Sequence, residues 1–341
     1  MTVSRRSAMG GISALAFAAA GGALAQPAVS VLPGKGELSN PKASPEAKAL
    51  YAWLWSQYGK KTLTGQQESI WRQPLGPRHE LDYIERTTGK LPVILGLDYI
   101  DPNDYDALND RATKWYKDEG GIPSICWHWG NPMIGTGYDN SKKYFDMYKS
   151  FKRGTPENVA LLRDLRIIAD NLTVLRDRGV PVLWRPMHEF TGNWFWWGMS
   201  GPEPFKALWI AMYKYFTFER GLNNLIWVLG YTAEVKPNYY PGRQYVDIAG
   251  ADTYVDHHGP LSEMFQAVKA EVGDTVPICL HENGPIPDPD KLGPDSEWLW
   301  FMTWHSEWIY PGKHNTDESV RKAYLSERYL TKDEVAGAFK L

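Results

Sequence analysis

Short, continuously apolar runs recur along the chain, and each is followed by a stretch of helical or loop character. Eight of these runs have the length of a β-strand: 62–66, 91–99, 122–129, 180–189, 225–231, 246–254, 276–282 and 298–305. Four of them have a proline as their second residue, and a proline is tolerated at the start of a strand. The runs are uniformly apolar rather than alternating, which is typical of parallel strands covered by helices.

Helical patterns separate these strands. The clearest covers 158–178, where leucine and isoleucine recur at steps of three and four residues and Gly179 follows the last turn. Further helices are predicted over 204–220 and 262–272. Eight strands alternating with helices predict an α/β protein that folds as a single (β/α)8 TIM barrel. The glycine-rich fingerprints of nucleotide-binding folds do not occur in the sequence.

The first 25 residues differ in composition from the rest of the chain. Arg5 and Arg6 precede a run of small apolar residues without an acidic side chain, and 23–25 fits a small-x-small cleavage pattern. Segment 1–25 is therefore predicted to be an export signal that resembles the twin-arginine type, with a membrane anchor as the alternative. We expect export from a bacterial cytoplasm to the periplasm or the extracellular space.

The rest of the chain divides into two parts. Segment 26–45 is rich in proline and glycine and is predicted to be a flexible leader. Segment 46–341 is predicted to be the (β/α)8 catalytic domain, with no appended binding module, and a monomer is expected. The two cysteines, Cys126 and Cys279, lie in predicted buried strands, which favours free thiols over a disulfide.

Composition adds one distinctive feature. Hydrophobic residues make up 43% of the chain and charged residues 23%, as in ordinary globular proteins. The formal net charge of −3 gives no indication of a nucleic-acid partner or an anionic membrane surface. Aromatic residues reach 13%, with 16 Trp and 19 Tyr, and amphipathic rings in such numbers can line a cleft as well as fill a core.

Polar and aromatic residues gather where the predicted strands end. The reactive groups of parallel barrels lie at the carboxyl ends of the strands. The residues found there are Trp127, His128, Arg185, His188, Glu189, Asp252, Tyr254, His281, Glu282, Trp304 and His305.

Two of these residues, Glu189 and Glu282, end the fourth and seventh predicted strands. A carboxylate at the end of a buried strand is costly unless it faces a polar cavity. Strands four and seven face each other across the barrel mouth, and two facing carboxylates among aromatic rings suit glycoside hydrolysis. For either residue alone, a structural ion pair, such as Glu189 with Arg185, is the alternative.

The motif WRPMHEFTGNWFWWG at 184–198 resembles the acid/base motif of glycoside hydrolase family 26, the β-mannanase family of a retaining (β/α)8 clan. The sequence LHENG at 280–284 resembles the nucleophile strand of that family. Most of the clan carries asparagine before the acid/base, so His188 favours this family. Further blocks resemble the family in the same order along the chain: 62–67, 88–98, 126–132 and 246–254.

The resemblance implies roles for the residues at the reaction centre. Glu189 would be the general acid/base, and Glu282 would be the nucleophile. Tyr254 resembles the tyrosine that donates a hydrogen bond to the nucleophile and keeps it ionised. His188 would hold Glu189 and line the site.

The same resemblance implies sugar contacts. His128 and Trp127 would line the subsites on the non-reducing side of the scissile bond. Trp194 would be the aromatic platform for the leaving-group sugar, and Trp304 the platform beneath the sugar at the cleavage point. His305 stands where many relatives carry arginine, which leaves the distal contacts open.

The resemblance implies a retaining endo-β-1,4-mannanase that acts on mannan, glucomannan or galactomannan by double displacement. A second possibility is the same machinery acting on mixed-linkage β-glucan or β-1,3-xylan. A third is a non-catalytic carbohydrate-binding protein on the same scaffold. No cofactor or metal is expected, since two carboxylates suffice for the reaction. The expected partner is a β-mannan-type polysaccharide or oligosaccharide.

Overall fold

A computed structural model describes residues 32–69, 78–310, 312–335 and 337–340. Its strands are β1 (Thr62–Leu63), β2 (Gly65–Gln67), β3 (Ile94–Asp98), β4 (Ile122–Trp127), β5 (Val182–Pro186), β6 (Leu225–Thr232), β7 (Ile248–Thr253), β8 (Ile278–Asn283), β9 (Phe301–Thr303) and β10 (Tyr329–Leu330). Strands β2 to β9 pair in parallel in chain order, and β9 pairs with β2 to close a barrel. The predicted (β/α)8 barrel is confirmed, and the two-residue strands β1 and β10 pair separately.

The α-helices of the described residues are α1 (Pro45–Gln57), α2 (His79–Thr88), α3 (Tyr105–Lys117), α4 (Tyr138–Ser141), α5 (Met147–Ser150), α6 (Pro156–Asp177), α7 (Trp196–Met199), α8 (Pro202–Lys214), α9 (Ser262–Val272), α10 (Asp317–Tyr324) and α11 (Lys332–Val335). The predicted helices 158–178 and 262–272 correspond to α6 and α9. The predicted helix 204–220 corresponds to α8 and a π-helical turn over Tyr215–Glu219.

Local sequence fixes both ends of α6. The Thr155 side chain accepts a hydrogen bond from the backbone N–H of Asn158, and Pro156 occupies the first turn, where its missing N–H costs nothing. Gly179 follows the last turn with φ +66°, a conformation that glycine adopts without strain. The stripe of Leu161, Leu165, Ile168, Leu172 and Leu175 on α6 is buried, so it packs against the barrel.

Each of the eight barrel strands overlaps a predicted run, but the fourth strand ends earlier than predicted. Strand β5 ends at Pro186. Glu189 therefore does not end the strand and lies in the turn that follows it, where Met187 and Glu189 have φ values of 51° and 54°. Glu282, in contrast, lies within β8, next to its last residue.

The described part of the predicted leader, 32–44, contacts the barrel. The backbone N–H of Ser39 donates a 2.6 Å hydrogen bond to Oδ1 of Asp247, and Arg243 donates to the carbonyl oxygens of Gly34 and Glu37. The predicted export signal, 1–25, lies outside the described residues.

Two further features bear on the sequence predictions. Cys126 and Cys279 are both buried and unpaired, as predicted. Among the helices of the described ranges, none has the length and apolar character needed to cross a membrane.

Candidate active site

The carboxyl group of Glu282 is held from two sides inside the barrel mouth. Nη2 of Arg185 in β5 donates to Oε1 at 2.9 Å, and the hydroxyl of Tyr254, which follows β7, donates to Oε2 at 3.0 Å. Burial raises the pKa of Glu282, and the Arg185 cation opposes that shift. Burial and the Glu282 charge raise the pKa of Tyr254 well above its usual value, so its hydroxyl remains a donor.

Glu189 has hydrogen-bond partners that differ from those of Glu282. Its backbone N–H donates to the carbonyl oxygen of Gly230 in β6 at 2.8 Å, which anchors the turn to the next strand. Oε2 of its carboxyl group accepts a 2.8 Å hydrogen bond from Nε1 of Trp194. Burial and the charge of Glu282 raise the pKa of Glu189 to about 7, while the Trp194 N–H opposes the shift. Glu189 therefore remains a proton donor up to near-neutral pH.

His128 is paired with Asp98, a residue that the sequence analysis did not single out. Asp98 ends β3, and its Oδ1 accepts from the backbone N–H of His128 at 3.1 Å. Its Oδ2 contacts Nδ1 of the His128 ring. Burial alone would lower the pKa of His128, but the Asp98 carboxylate outweighs it and raises that pKa. The signal in the sequence was an aspartate at the end of an apolar strand, like those at the other strand ends.

His188 lies beside His128, with ring centres 4.5 Å apart, and 5.4 Å from the ring centre of Phe195. Burial and the His128 charge lower the pKa of His188 well below its usual value, so this ring is neutral. Its Nδ1 has no hydrogen-bond partner among the described residues. His188 thus lines the site, whereas the side-chain contact that holds Glu189 is made by Trp194.

The predicted sugar-contact residues fall into two groups. Trp304 follows β9 and lies 6.0 Å from the His128 ring, and Trp194 is 41% exposed beside Glu189. Trp127 is buried and stacks on Trp129 with ring centres 4.0 Å apart. Trp127, the last residue of β4, also lies 6.4 Å from Trp184 in the core, whereas the ring of the following residue, His128, contacts Asp98 and His188. The structure does not bring Trp127 to the two carboxyl groups.

His281 and Asp252 form a second buried group, which contacts Arg185. Nη1 of Arg185 donates to the carbonyl oxygen of His281 at 2.9 Å, and Nδ1 of His281 lies 2.5 Å from Oδ1 of Asp252. Burial raises the pKa of Asp252 well above its usual value, and burial lowers that of His281. A Cβ atom at Gly230 would lie 2.5 Å from Cε1 of His281, so this packing requires glycine there.

Within the part of the chain that the structure describes, two side-chain groups bring potential metal ligands within 4.8 Å of one another: Asp98, Cys126 and His128, and Asp252, His281 and Glu282. In each group the histidine already contacts the aspartate. Both groups combine residues from neighbouring strands, which is why no ligand spacing in the sequence indicated them.

Comparisons with known proteins agree with this architecture. The family model described as glycosyl hydrolase family 26 matches residues 39–334. A mannan endo-1,4-β-mannosidase of Thermothelomyces thermophilus is 36% identical over 88% of this chain and 63% of its own length. Curated relatives such as this one are longer, and the chain spans 63% and 50% of the first two.

Solved structures are similar in fold and sequence. A GH26-CBM35 β-(1,4)-mannanase of Podospora anserina superposes with a TM-score of 0.81 at 34% identity, covering 92% of this chain and 72% of that one. A β-mannanase from a symbiotic protist of the termite Reticulitermes speratus was solved with a gluco-manno-oligosaccharide. It superposes with a TM-score of 0.81 at 32% identity, covering 89% of this chain and 98% of that one. Since the family model spans the barrel from before α1 to α11, the chain belongs to glycosyl hydrolase family 26.

Proposed function

We propose that the chain is a retaining glycoside hydrolase that cleaves internal β-1,4-mannosidic linkages. The observation that carries this proposal is the difference between two neighbouring carboxyl groups. Glu282 accepts hydrogen bonds on both oxygens, one from a buried cation, which favours its charged form. Glu189 has a pKa of about 7 and is a proton donor. One ionised and one protonated carboxyl group are what glycoside hydrolysis requires.

In the first step, an oxygen of Glu282 attacks the anomeric carbon, and the bond from that carbon to the glycosidic oxygen breaks. Glu189 gives its proton to that oxygen, and the leaving sugar departs as an alcohol. The product is a glycosyl ester on Glu282. Arg185 and Tyr254 hold the carboxylate in one orientation before the attack, which reduces the reorganisation needed in the transition state.

In the second step, water cleaves the ester. Glu189, now a carboxylate, takes a proton from water as the oxygen bonds to the anomeric carbon, and Glu282 leaves as a carboxylate. Esterification removes the charge of Glu282, which is one of the two causes that raise the pKa of Glu189. The pKa of Glu189 therefore falls when the residue must act as a base.

The proposed substrate is a β-mannan chain: mannan, glucomannan or galactomannan. Trp194 contacts Glu189, and the rings of Trp304 and His188 lie beside His128, which interacts electrostatically with both carboxyl groups. Apolar faces and hydrogen-bonding edges therefore gather near these groups. This mixture suits a sugar, which has an apolar face of C–H groups and a rim of hydroxyls. The names of the mannosidase and mannanase relatives support the choice of mannan.

We also propose that the protein works outside the bacterial cytoplasm, in the periplasm or the extracellular space. The support is the sequence of segment 1–25, with its arginine pair and small apolar run. A soluble polymer such as glucomannan would be encountered there. Fractionation of cells that produce the full chain, with detection of a shortened amino terminus, tests this part.

The function is tested by reducing-sugar release from mannan, glucomannan, galactomannan, lichenan, β-1,3-xylan and β-1,4-xylan by residues 26–341. We expect release from the mannans and none by Glu282→Gln. Glu263→Gln is the matched control, because Glu263 is an exposed glutamate on α9, and it should keep full activity. Proton NMR of the first product should show retention of the β-anomer.

Other outcomes would separate the alternatives. Preferred release from lichenan or β-1,3-xylan would keep the mechanism and overturn the choice of mannan. Retention on a mannan gel without release from any polymer would replace the enzyme with a carbohydrate-binding protein. Initial formation of the α-anomer would overturn the double displacement.

A further inference from the structure

The turn that carries Glu189 places the indole of Trp194 against the carboxyl group of Glu189. The backbone N–H of Gly192 donates to the carbonyl oxygen of Glu189 at 3.0 Å, and Asn193 takes φ +62°. These two features reverse the chain within five residues. Nε1 of Trp194 consequently reaches Oε2 of Glu189 at 2.8 Å.

The position of the indole depends on the residue beneath it. A Cβ atom at Gly192 would lie 2.2 Å from Cη2 of Trp194, so the ring lies directly against a backbone without a side chain. The ring also lies edge-on to Phe195, with ring centres 6.4 Å apart. The turn thus fixes the position of the indole, although 41% of the Trp194 surface remains exposed.

The hydrogen bond makes the two oxygens of Glu189 unequal. An indole N–H can only donate, and it needs a lone pair on Oε2. The carbonyl oxygen of a protonated carboxyl group is a better acceptor than its hydroxyl oxygen. With Trp194 on Oε2, the proton is carried on Oε1.

We propose that Trp194 is a positioning residue for the acid/base, whose indole N–H holds Oε2 of Glu189 and directs the transferable proton to Oε1. The exposed face of the same ring remains available to stack on a sugar. In the base step, the bond becomes charge-assisted and stabilises the Glu189 carboxylate. The two roles use different parts of one side chain, so they can be separated by mutation.

The first test observes the hydrogen bond directly. The chain has 16 tryptophans, and 15N-tryptophan labelling gives one indole N–H signal for each. The signal lost in Trp194→Phe identifies Trp194. We expect it to move downfield with rising pH at the pKa of Glu189, about 7, and to lose this titration in Glu189→Gln. The proposal would be overturned by a Trp194 indole N–H chemical shift that does not change with pH, or that changes equally in Glu189→Gln.

The second test is kinetic and rests on the proposed function. Trp194→Phe keeps an aromatic ring and removes the N–H. On mannopentaose we expect little change in KM and a kcat lower by about tenfold. The alkaline limb of the pH–rate profile should move upward by about 0.5 pH unit. With a dinitrophenyl mannobioside, whose leaving group needs no proton, the first-step rate should be unchanged.

A matched control separates this effect from a general response to losing a tryptophan. Trp53 lies on α1 and packs on Phe339 at 5.1 Å, and Phe339 also stacks on Tyr116 near the carboxyl end of α3. That end of α3 leads into the amino end of β4, on the barrel face opposite the carboxyl groups, so Trp53→Phe should behave as wild type. A raised KM with kcat and the alkaline limb unchanged would make Trp194 a sugar platform only and overturn the proposal. If wild type and Trp53→Phe both fail to hydrolyse the substrate, the proposed function fails, and the indole titration alone decides the inference.

Discussion

Arg185 and Glu282 form an ion pair inside the barrel, with Nη2 and Oε1 2.9 Å apart and both side chains almost fully buried. The two residues come from β5 and β8, on opposite parts of the barrel wall. Removing one partner of a buried pair leaves the other charge without compensation, which costs more than the pair itself contributes. Under the proposed mechanism, stability and catalysis therefore depend on the same contact.

Replacing Arg185 tests this dependence. We expect Arg185→Met to lower the free energy of unfolding by about 3–5 kcal/mol, because the Glu282 carboxylate stays buried without its cation. Urea unfolding measures the change, and activity should be lost at temperatures where the variant remains folded. Arg153→Met, at an exposed position, is the control and should match wild type in both assays. Wild-type activity in folded Arg185→Met would contradict the proposed role of the pair.

The pH dependence of kcat/KM follows from the two carboxyl groups. In the proposed mechanism Glu189 must be protonated in the first step, so we expect activity to be retained below its pKa of about 7 and lost as the pH rises through it. Glu282 must be ionised, and its raised pKa places the acidic limb above the usual range of a glutamate. A bell-shaped profile is expected, with apparent values that belong to the pair.

The same coupling predicts a shift in a variant. Glu282→Gln removes a negative charge that raises the pKa of Glu189, so that pKa should fall. The Trp194 indole signal, or carbon NMR of labelled glutamate, can measure the fall without turnover. An unchanged pKa in Glu282→Gln would mean that burial alone sets it.

Asp98 is predicted to act through His128. Asp98→Asn removes the carboxylate that raises the pKa of His128, so burial should dominate and that histidine should become neutral at the working pH. We expect kcat/KM to fall about 10- to 100-fold, the effect of losing one hydrogen bond to a charged group. Histidine NMR against pH measures the shift, and a His128 pKa equal to that of wild type would contradict this explanation.

Trp127 is predicted to matter for stability rather than for sugar binding. Trp127→Ala should lower the free energy of unfolding by about 3–5 kcal/mol, because the ring is buried against Trp129. The KM of the folded variant for mannopentaose should equal that of wild type. A KM raised severalfold in the folded variant would restore the sugar contact implied by the sequence motif.

Much of the architecture followed from the sequence because it depends on local and periodic features. The continuous apolar runs located all eight barrel strands, since strands buried on both faces leave no polar alternation. The leucine spacing and Gly179 located α6 to within a few residues. The strand-end positions also located Glu189 and Glu282, because parallel strands deliver their carboxyl ends to one face of the barrel.

The tertiary structure decided what each of these residues touches. Strand β5 ends three residues before Glu189, and the turn after it turns Trp194 onto that carboxyl, which no periodicity in the sequence indicates. Asp98 meets His128 only because β3 and β4 are neighbours.

The sequence motif likewise did not predict the direction in which a side chain points. Trp127 and His128 are adjacent in the chain, yet the Trp127 ring packs on Trp129 and Trp184 in the core, whereas the His128 ring contacts Asp98 and His188 in the candidate site. The sequence by itself determined the barrel and the two carboxyl groups, since hydrophobic periodicity and strand order are properties of the chain. Their proton states came from the tertiary structure, because a pKa depends on burial and on charges that other strands supply.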